Sequence, residues 1–233
     1  MPAPSTPSVA ILLSGGMDSA ILLSESLTQG AIVHPLYVRC GLRWEEDELA
    51  GVQRLLAAMV VPNLRPLVLL DAPVADLYGR HWSIDGSGVP DEASADEAVY
   101  LPGRNVLLLT KAILWCHLHG VPSVALAVLR GNPFPDSTPD FLRGLQAAVN
   151  RAVGGQVQVE CPYGSLSKTE VLARANGVPL ELTHSCLRTI GGLHCGRCNK
   201  CAERQKAFSF AGRFDPTVYA QSTHHAPRDV GQA

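Results

Sequence analysis

Short apolar runs alternate with longer amphipathic stretches along most of this chain. Residues 8–13 form an apolar run cut off by Ser14-Gly15-Gly16, the pattern of a buried strand. Residues 19–28 predict a helix, with Ile21, Leu22 and Leu23 apolar and Gly30 as its stop. Residues 32–38 predict a second strand and residues 64–70 a third. Between them, residues 45–59 read as a helix whose first turn is acidic, where the dipole favours such charge. Residues 72–98 turn polar and irregular, with Gly79, Gly86, Gly88 and Pro90. A loop of that length predicts a functional segment such as a lid. A helix over 106–120, a strand over 123–128, a helix over 140–153 and a strand over 157–161 follow. Ser167-Lys168-Thr169-Glu170 fits a capping box, so another helix should start there and stop near Gly177.

Strands alternating with helices predict an α/β fold, a parallel doubly wound sheet with helices on both faces. Ligands of such sheets bind beyond the carboxyl ends of the strands, at the point where strand order reverses. The turn after the first strand lies at such an end, and Asp71, Arg130 and Tyr163 are expected along the same edge.

Composition narrows the class. The chain has 233 residues, 46% hydrophobic and 17% charged, with a formal net charge of -2, enough for one sizeable core. No apolar run reaches the ~18 residues of a membrane helix. The balance of charge gives no nucleic-acid footprint. No secretory signal is visible at the start, so the expected compartment is cytoplasmic, where thiols stay reduced.

That last point governs the cysteines. Cys195, Cys198 and Cys201 stand at CxxCxxC spacing, and Cys186 lies a Gly-rich loop upstream. Four thiolates converging on one point describe a closed tetrahedral zinc site, one ion per chain. With no open coordination position the zinc should be structural. Arg197 and Lys200 are candidates to offset the thiolate charge. Cys40, Cys116 and Cys161 lie in apolar segments and read as buried thiols.

Ser14-Gly15-Gly16-Met17-Asp18-Ser19 lacks the Gly-Lys-Ser/Thr ending of a Walker A loop and the G-x-G-x-x-G of a dinucleotide fingerprint. Its physics is the same. Two glycines admit close backbone approach, and the turn feeds a helix N-terminus that favours phosphate. Asp18 would repel phosphate directly, so it reads as a magnesium ligand or a brace of the loop. A Gly-Gly turn without a ligand remains the plain alternative.

This Ser-Gly-Gly-x-Asp-Ser order after a first strand resembles the ATP-pyrophosphatase loop. Three further segments are similar to the 7-cyano-7-deazaguanine synthase (QueC) family: Tyr100-Leu101-Pro102-Gly103-Arg104-Asn105, the stretch from Leu166 through Lys168 to Cys186, and Cys186 to Cys201 with the residues up to Phe208. The resemblance runs over residues 9–208, in the family's order. It implies a nucleotide-binding α/β domain over 8–180 and a four-cysteine zinc region over 181–214; the Pro/Ser-rich composition of 1–7 predicts a disordered start, and the polar stretch 215–233, with Pro216 and Pro227, a loose tail in which His224 and His225 are solvated. The resemblance also implies ATP with magnesium held by Leu12, Leu13, Ser14, Gly15, Gly16, Met17, Asp18, Ser19 and Asn105. Asp18, Lys168 and Arg104 would be catalytic. N-capping is an equal alternative for Asn105.

The implied reaction converts 7-carboxy-7-deazaguanine and ammonia to the nitrile, through an adenylated carboxylate and an amide. Partners would be small molecules, without nucleic acid or membrane; a homodimer is left open. The sequence departs from the family at Arg130-Gly131-Asn132-Pro133-Phe134-Pro135-Asp136-Ser137-Thr138, where the family carries a longer loop into Pro-Asp-Cys-Arg. Arg130 and Asp136 are therefore candidates for acceptor contact, with turn formation an alternative for Asp136. The departure keeps open a related adenylating enzyme for another carboxylate, or one joining a deazaguanine acid to an amine or protein. Outside enzymes, a zinc-stabilised nucleotide-binding interaction module is the rival.

Overall fold

The computed structural model describes residues 6–221; most of the expected disordered start, and the end of the chain with His224 and His225, lie outside the described residues. Five strands, β1 (Ser8–Leu12), β2 (Ile32–Arg39), β3 (Val68–Asp71), β4 (Ser123–Ala125) and β5 (Gln158–Glu160), form one sheet in the order β3-β2-β1-β4-β5. Every pairing is parallel. The order reverses between β1 and β4, so the ligand crevice of this topology opens above those two strands.

The side-chain alternation of β1 sorts the helices. Val9, Ile11 and Leu13 pack with α1 (Met17–Thr28), α2 (Glu45–Ala58), α7 (Lys168–Ala173) and α8 (Asn199–Phe210). Ala10 and Leu12 face the opposite layer, built on α5 (Arg104–His119) and α6 (Pro139–Val153). Both faces are thus covered, as near-continuous apolar strands require.

Several boundaries move for physical reasons. The third strand was expected from residue 64. Pro66 has no N–H to give a ladder, so Leu64 makes only an isolated bridge to Val33 and the strand begins at Val68. The fourth strand ends at Ala125, not at 128; the Leu126 N–H still reaches Glu160, after which the chain turns out of the sheet. Helix α5 starts at Arg104, two residues early, because Gly103 takes φ +73° ahead of it.

The expected lid carries structure of its own: α3 (Ala75–Tyr78), α4 (Trp82–Asp85) and a single 3-10 turn at Asp96–Val99. Trp82 stacks on Trp44, with centroids 5.6 Å apart. The segment is fastened to the cysteine region by the Asn199 N–H on the Pro90 carbonyl and by Asn199 Nδ2 on the Ser94 carbonyl. The described part of the expected loose tail is also tied down. Tyr219 donates to Asp215, Arg204 donates to Thr217, and the Ala220 N–H reaches the His194 carbonyl. Among the described residues no helix is long and apolar enough to cross a membrane.

Candidate active site and metal centre

The loop after β1 is shaped by its two glycines. Gly15 takes φ +70°, and a Cβ there would come within 2.7 Å of Glu48 Cγ. Gly16 caps α1 with no side-chain hydrogen bond, so the first N–H groups of that helix stay open for an anion. The Ser14 N–H donates to Ser19 Oγ at 3.3 Å, and Ser19 Oγ donates to the Gly16 carbonyl at 3.1 Å. The Gly15 carbonyl is held by the His184 N–H at 2.7 Å, which ties the loop to the cysteine region.

A cavity of about 480 Å³ opens at the switch point, walled by this loop, by the start of α5 and by the 129–136 segment. Asp18 and Lys168 meet on its floor. Lys168 Nζ lies 2.6 Å from Asp18 Oδ2 and 3.2 Å from Glu203, and Lys200 completes the row 2.6 Å from Glu203. Burial acts to lower the Lys168 pKa, but Asp18 and Glu203 more than offset it and hold the ammonium charged. Burial likewise raises Glu203, and the two lysines outweigh it, bringing the carboxyl down to about 2. Lys168 therefore does face anions at its helix start, and both are protein carboxylates.

Arg104 stands in the first turn of α5, where a cation opposes the dipole. Its Nε is buried without a hydrogen-bond partner, and none of the ion pairs of the described residues includes it. A half-buried guanidinium outside any ion pair, with Glu48 as its charged neighbour, can still take an incoming phosphate or carboxylate.

Asp136 is placed differently from the expectation of substrate contact. Its Oδ2 accepts the Asn105 N–H and its Oδ1 the Asn105 amide, both at 3.1 Å. It thus serves the open end of α5, the role expected for Asn105, and Asn105 is held by it. Asp136→Ala should cost about 1 kcal/mol of stability, the worth of a helix cap. Thermal unfolding should show the loss, and unchanged stability would mean the pair is idle. Arg130 lies on the cavity rim, its Nη1 on the Ser165 carbonyl and its Nη2 3.3 Å from Glu170. Phe134 stacks on Tyr100 with centroids 5.2 Å apart, giving the cavity a flat aromatic wall. Tyr163 is buried against Glu25, outside the cavity, and Asp71 ends the far strand β3.

Glu48 escaped the sequence reading because it is one of four acidic residues in one helical turn. In the fold it is buried on the cavity wall and accepts the Tyr37 hydroxyl at 2.8 Å.

The four cysteines meet as the spacing requires. Cys186, Cys195, Cys198 and Cys201 are all buried, with every sulfur within 4.8 Å of the others. Backbone N–H groups of Leu187, Arg188, Cys195, Arg197 and Cys198 point at these sulfurs at 3.2–3.4 Å. They supply the charge compensation expected from basic side chains; Lys200 is spent on Glu203. Four soft donors in a closed cage fit zinc.

The fold is a five-stranded parallel α/β sheet with the Ser-Gly-Gly-x-Asp-Ser loop at the point where strand order reverses, joined to a buried four-cysteine cluster. A solved 4-thiouridine synthetase–RNA complex with bound ATP shares the fold, with a TM-score of 0.52 and 14% identity over 88% of this chain and 50% of that one. The sequence model described as "Queuosine biosynthesis protein QueC" matches residues 8–212, and the chain belongs to that family. Similar proteins named 7-cyano-7-deazaguanine synthase come from Xylella fastidiosa strain M12 (33% identical, 91% of this chain and 94% of the relative) and Xanthomonas campestris pv. campestris strain B100 (34%, 91% and 98%).

Proposed function

We propose that this chain is an ATP-dependent carbon–nitrogen ligase that converts 7-carboxy-7-deazaguanine and ammonia to 7-cyano-7-deazaguanine. The observation that carries the reading is Arg104, a residue of the cavity wall whose buried Nε has no hydrogen-bond partner, beside the open α1 N-terminus and Lys168. A polyanion and a carboxylate brought together need such donors. The residues 12–19 would bind the phosphates, with Asp18 exchanging its lysine partner for magnesium. Arg104 and Lys168 would take up charge that develops around the α-phosphorus.

A carboxylate is a poor electrophile; adenylation turns it into an acyl-phosphate anhydride, and ammonia displaces AMP to give the amide. Repeating the activation on the amide oxygen expels that oxygen with a second AMP and leaves the nitrile. The Tyr100–Phe134 face offers a planar heterocycle a stacking wall. Cys186, Cys195, Cys198 and Cys201 would hold zinc, which shapes the wall and takes no part in the chemistry.

Incubation with the acid, ATP, magnesium and ammonium, followed by mass spectrometry, tests the reading: the nitrile mass is expected, and unreacted acid contradicts it. Phe134→Ala should raise KM for the acid by about tenfold, the worth of a lost stacking contact, with KM for ATP little changed. Equal rises in both constants would remove Phe134 from acceptor binding.

One observation favours a second reading. The departed loop is closed on itself, with the single Ser137 O–H shared between Asn132 Oδ1 and the Phe134 carbonyl, and Thr138 capping α6. Since this loop is where the sequence departs from the family's pattern, a different carboxylate or an amine larger than ammonia is the second candidate. The same assay run with candidate amines distinguishes them.

A further inference from the structure

The cavity is lined by several carboxyl groups, and most are already committed. Asp18 and Glu203 are paired with lysines, Asp136 takes two hydrogen bonds from Asn105, and Asp96 accepts from Asn199. Glu48 differs: no lysine or amide side chain holds it, and the Tyr37 hydroxyl takes only its Oε1. It lies beneath the phosphate loop, its Cγ filling the space that a side chain at Gly15 would need. Tyr37 from β2 anchors its Oε1, and Arg104 from α5 faces it without forming an ion pair. Its neighbour Glu45 in the same helix is spent on structure, with Oε1 on Arg39 and Oε2 on the backbone N–H groups of Cys40 and Gly41. Burial pushes the Glu48 carboxyl up to about 7, with Arg104 and the Tyr37 hydroxyl pulling the other way and Glu45 adding to the rise. A general base works best when its pKa lies near the working pH.

The reaction proposed above needs such a group. Nitrogen becomes a nucleophile only after losing a proton, and it sheds another once the amide forms. We infer that Glu48 is the proton acceptor for the nitrogen nucleophile. Nitrogen attacks the acyl carbon, the C–N bond forms, and the C–O bond to AMP breaks with its electron pair leaving on AMP. Ammonium gives its first proton to the Glu48 carboxylate before the attack, Glu48 passes it to solvent, and the second proton, shed as the amide forms, leaves by the same carboxylate. The inference rests on the adenylation reading of the site.

Glu48→Gln keeps the shape and an acceptor for the Tyr37 hydroxyl. Two half-reactions separate its roles: acid-dependent exchange of labelled pyrophosphate into ATP, and amide formation in a single turnover. Exchange needs no proton acceptor and should fall far less than amide formation. Amide formation with ammonium should fall by about 10²–10³-fold, the usual worth of a general base. At fixed total ammonium, that step in the native enzyme should level off above about pH 7, once Glu48 has lost its proton, whereas in the variant it should keep rising with the free ammonia concentration. Hydroxylamine, unprotonated at neutral pH, should restore acyl transfer in Glu48→Gln as hydroxamate. Equal losses in exchange and amide formation, or an unchanged amide rate and pH profile, would overturn the proton role. Absence of acid-dependent exchange in the native enzyme would instead overturn adenylation itself, and this inference with it.

Discussion

Cys198→Ala should yield a protein without bound metal and with its C-terminal region unfolded. Cys198 supplies one of four sulfurs, and structural zinc contributes roughly 10–16 kcal/mol of apparent binding energy to small domains, much of it folding energy. The residue also sits at the hub of local contacts. Its sulfur accepts the Leu187 N–H, its backbone bridges Asp91, and the next residue anchors the 90–94 segment. Through the His184 N–H on Gly15, the damage extends to the phosphate loop. Metal analysis should find about one zinc per native chain, by the four-ligand rule, and none in the variant. A soluble variant with native melting behaviour would remove zinc from the account of stability.

Lys168→Met should lower the adenylation rate by about 10²–10³-fold, the cost of removing one preorganised donor from a developing anion. The charge row on the cavity floor explains the size. Asp18, Lys168, Glu203 and Lys200 alternate in sign and together are neutral. Without Lys168, two carboxylates and one lysine remain, and a net negative floor faces the phosphates of ATP. Fold should survive, since Met keeps the buried stem at the start of α7. Pyrophosphate exchange measured alongside thermal unfolding separates the two effects. Native exchange in a folded variant would leave Lys168 as a structural ion pair only.

Much of this was legible in the sequence because it depends on local rules. The strand–loop–helix opening, the Ser167 capping box and the cysteine spacing each follow from neighbours in the chain, and each stands in the structure. What escaped depends on tertiary contact. Asp136 and Asn105 are far apart in sequence, and only the packing of α5 against the 135–137 turn shows which serves the other. Glu48 looks like a solvated charge until α2 is laid on the sheet beside Tyr37. Backbone N–H groups compensate the thiolates while Lys200 pairs with Glu203, which no composition reveals. The lid expectation was half right in placement: the segment covers the cavity through Trp82 and Asp96, but Asn199 pins it.

The proposed reaction makes a statement about oxygen that one experiment can check. If the carboxylate is activated by adenylation and the amide by a second adenylation, each carboxylate oxygen must leave on a molecule of AMP. Acid labelled with ¹⁸O at both carboxylate oxygens, turned over with ATP and ammonium, should give one nitrile for every two AMP, each AMP carrying one labelled oxygen. Label in inorganic phosphate, or AMP formed without label, would contradict adenylation of the acid as the act this cavity performs.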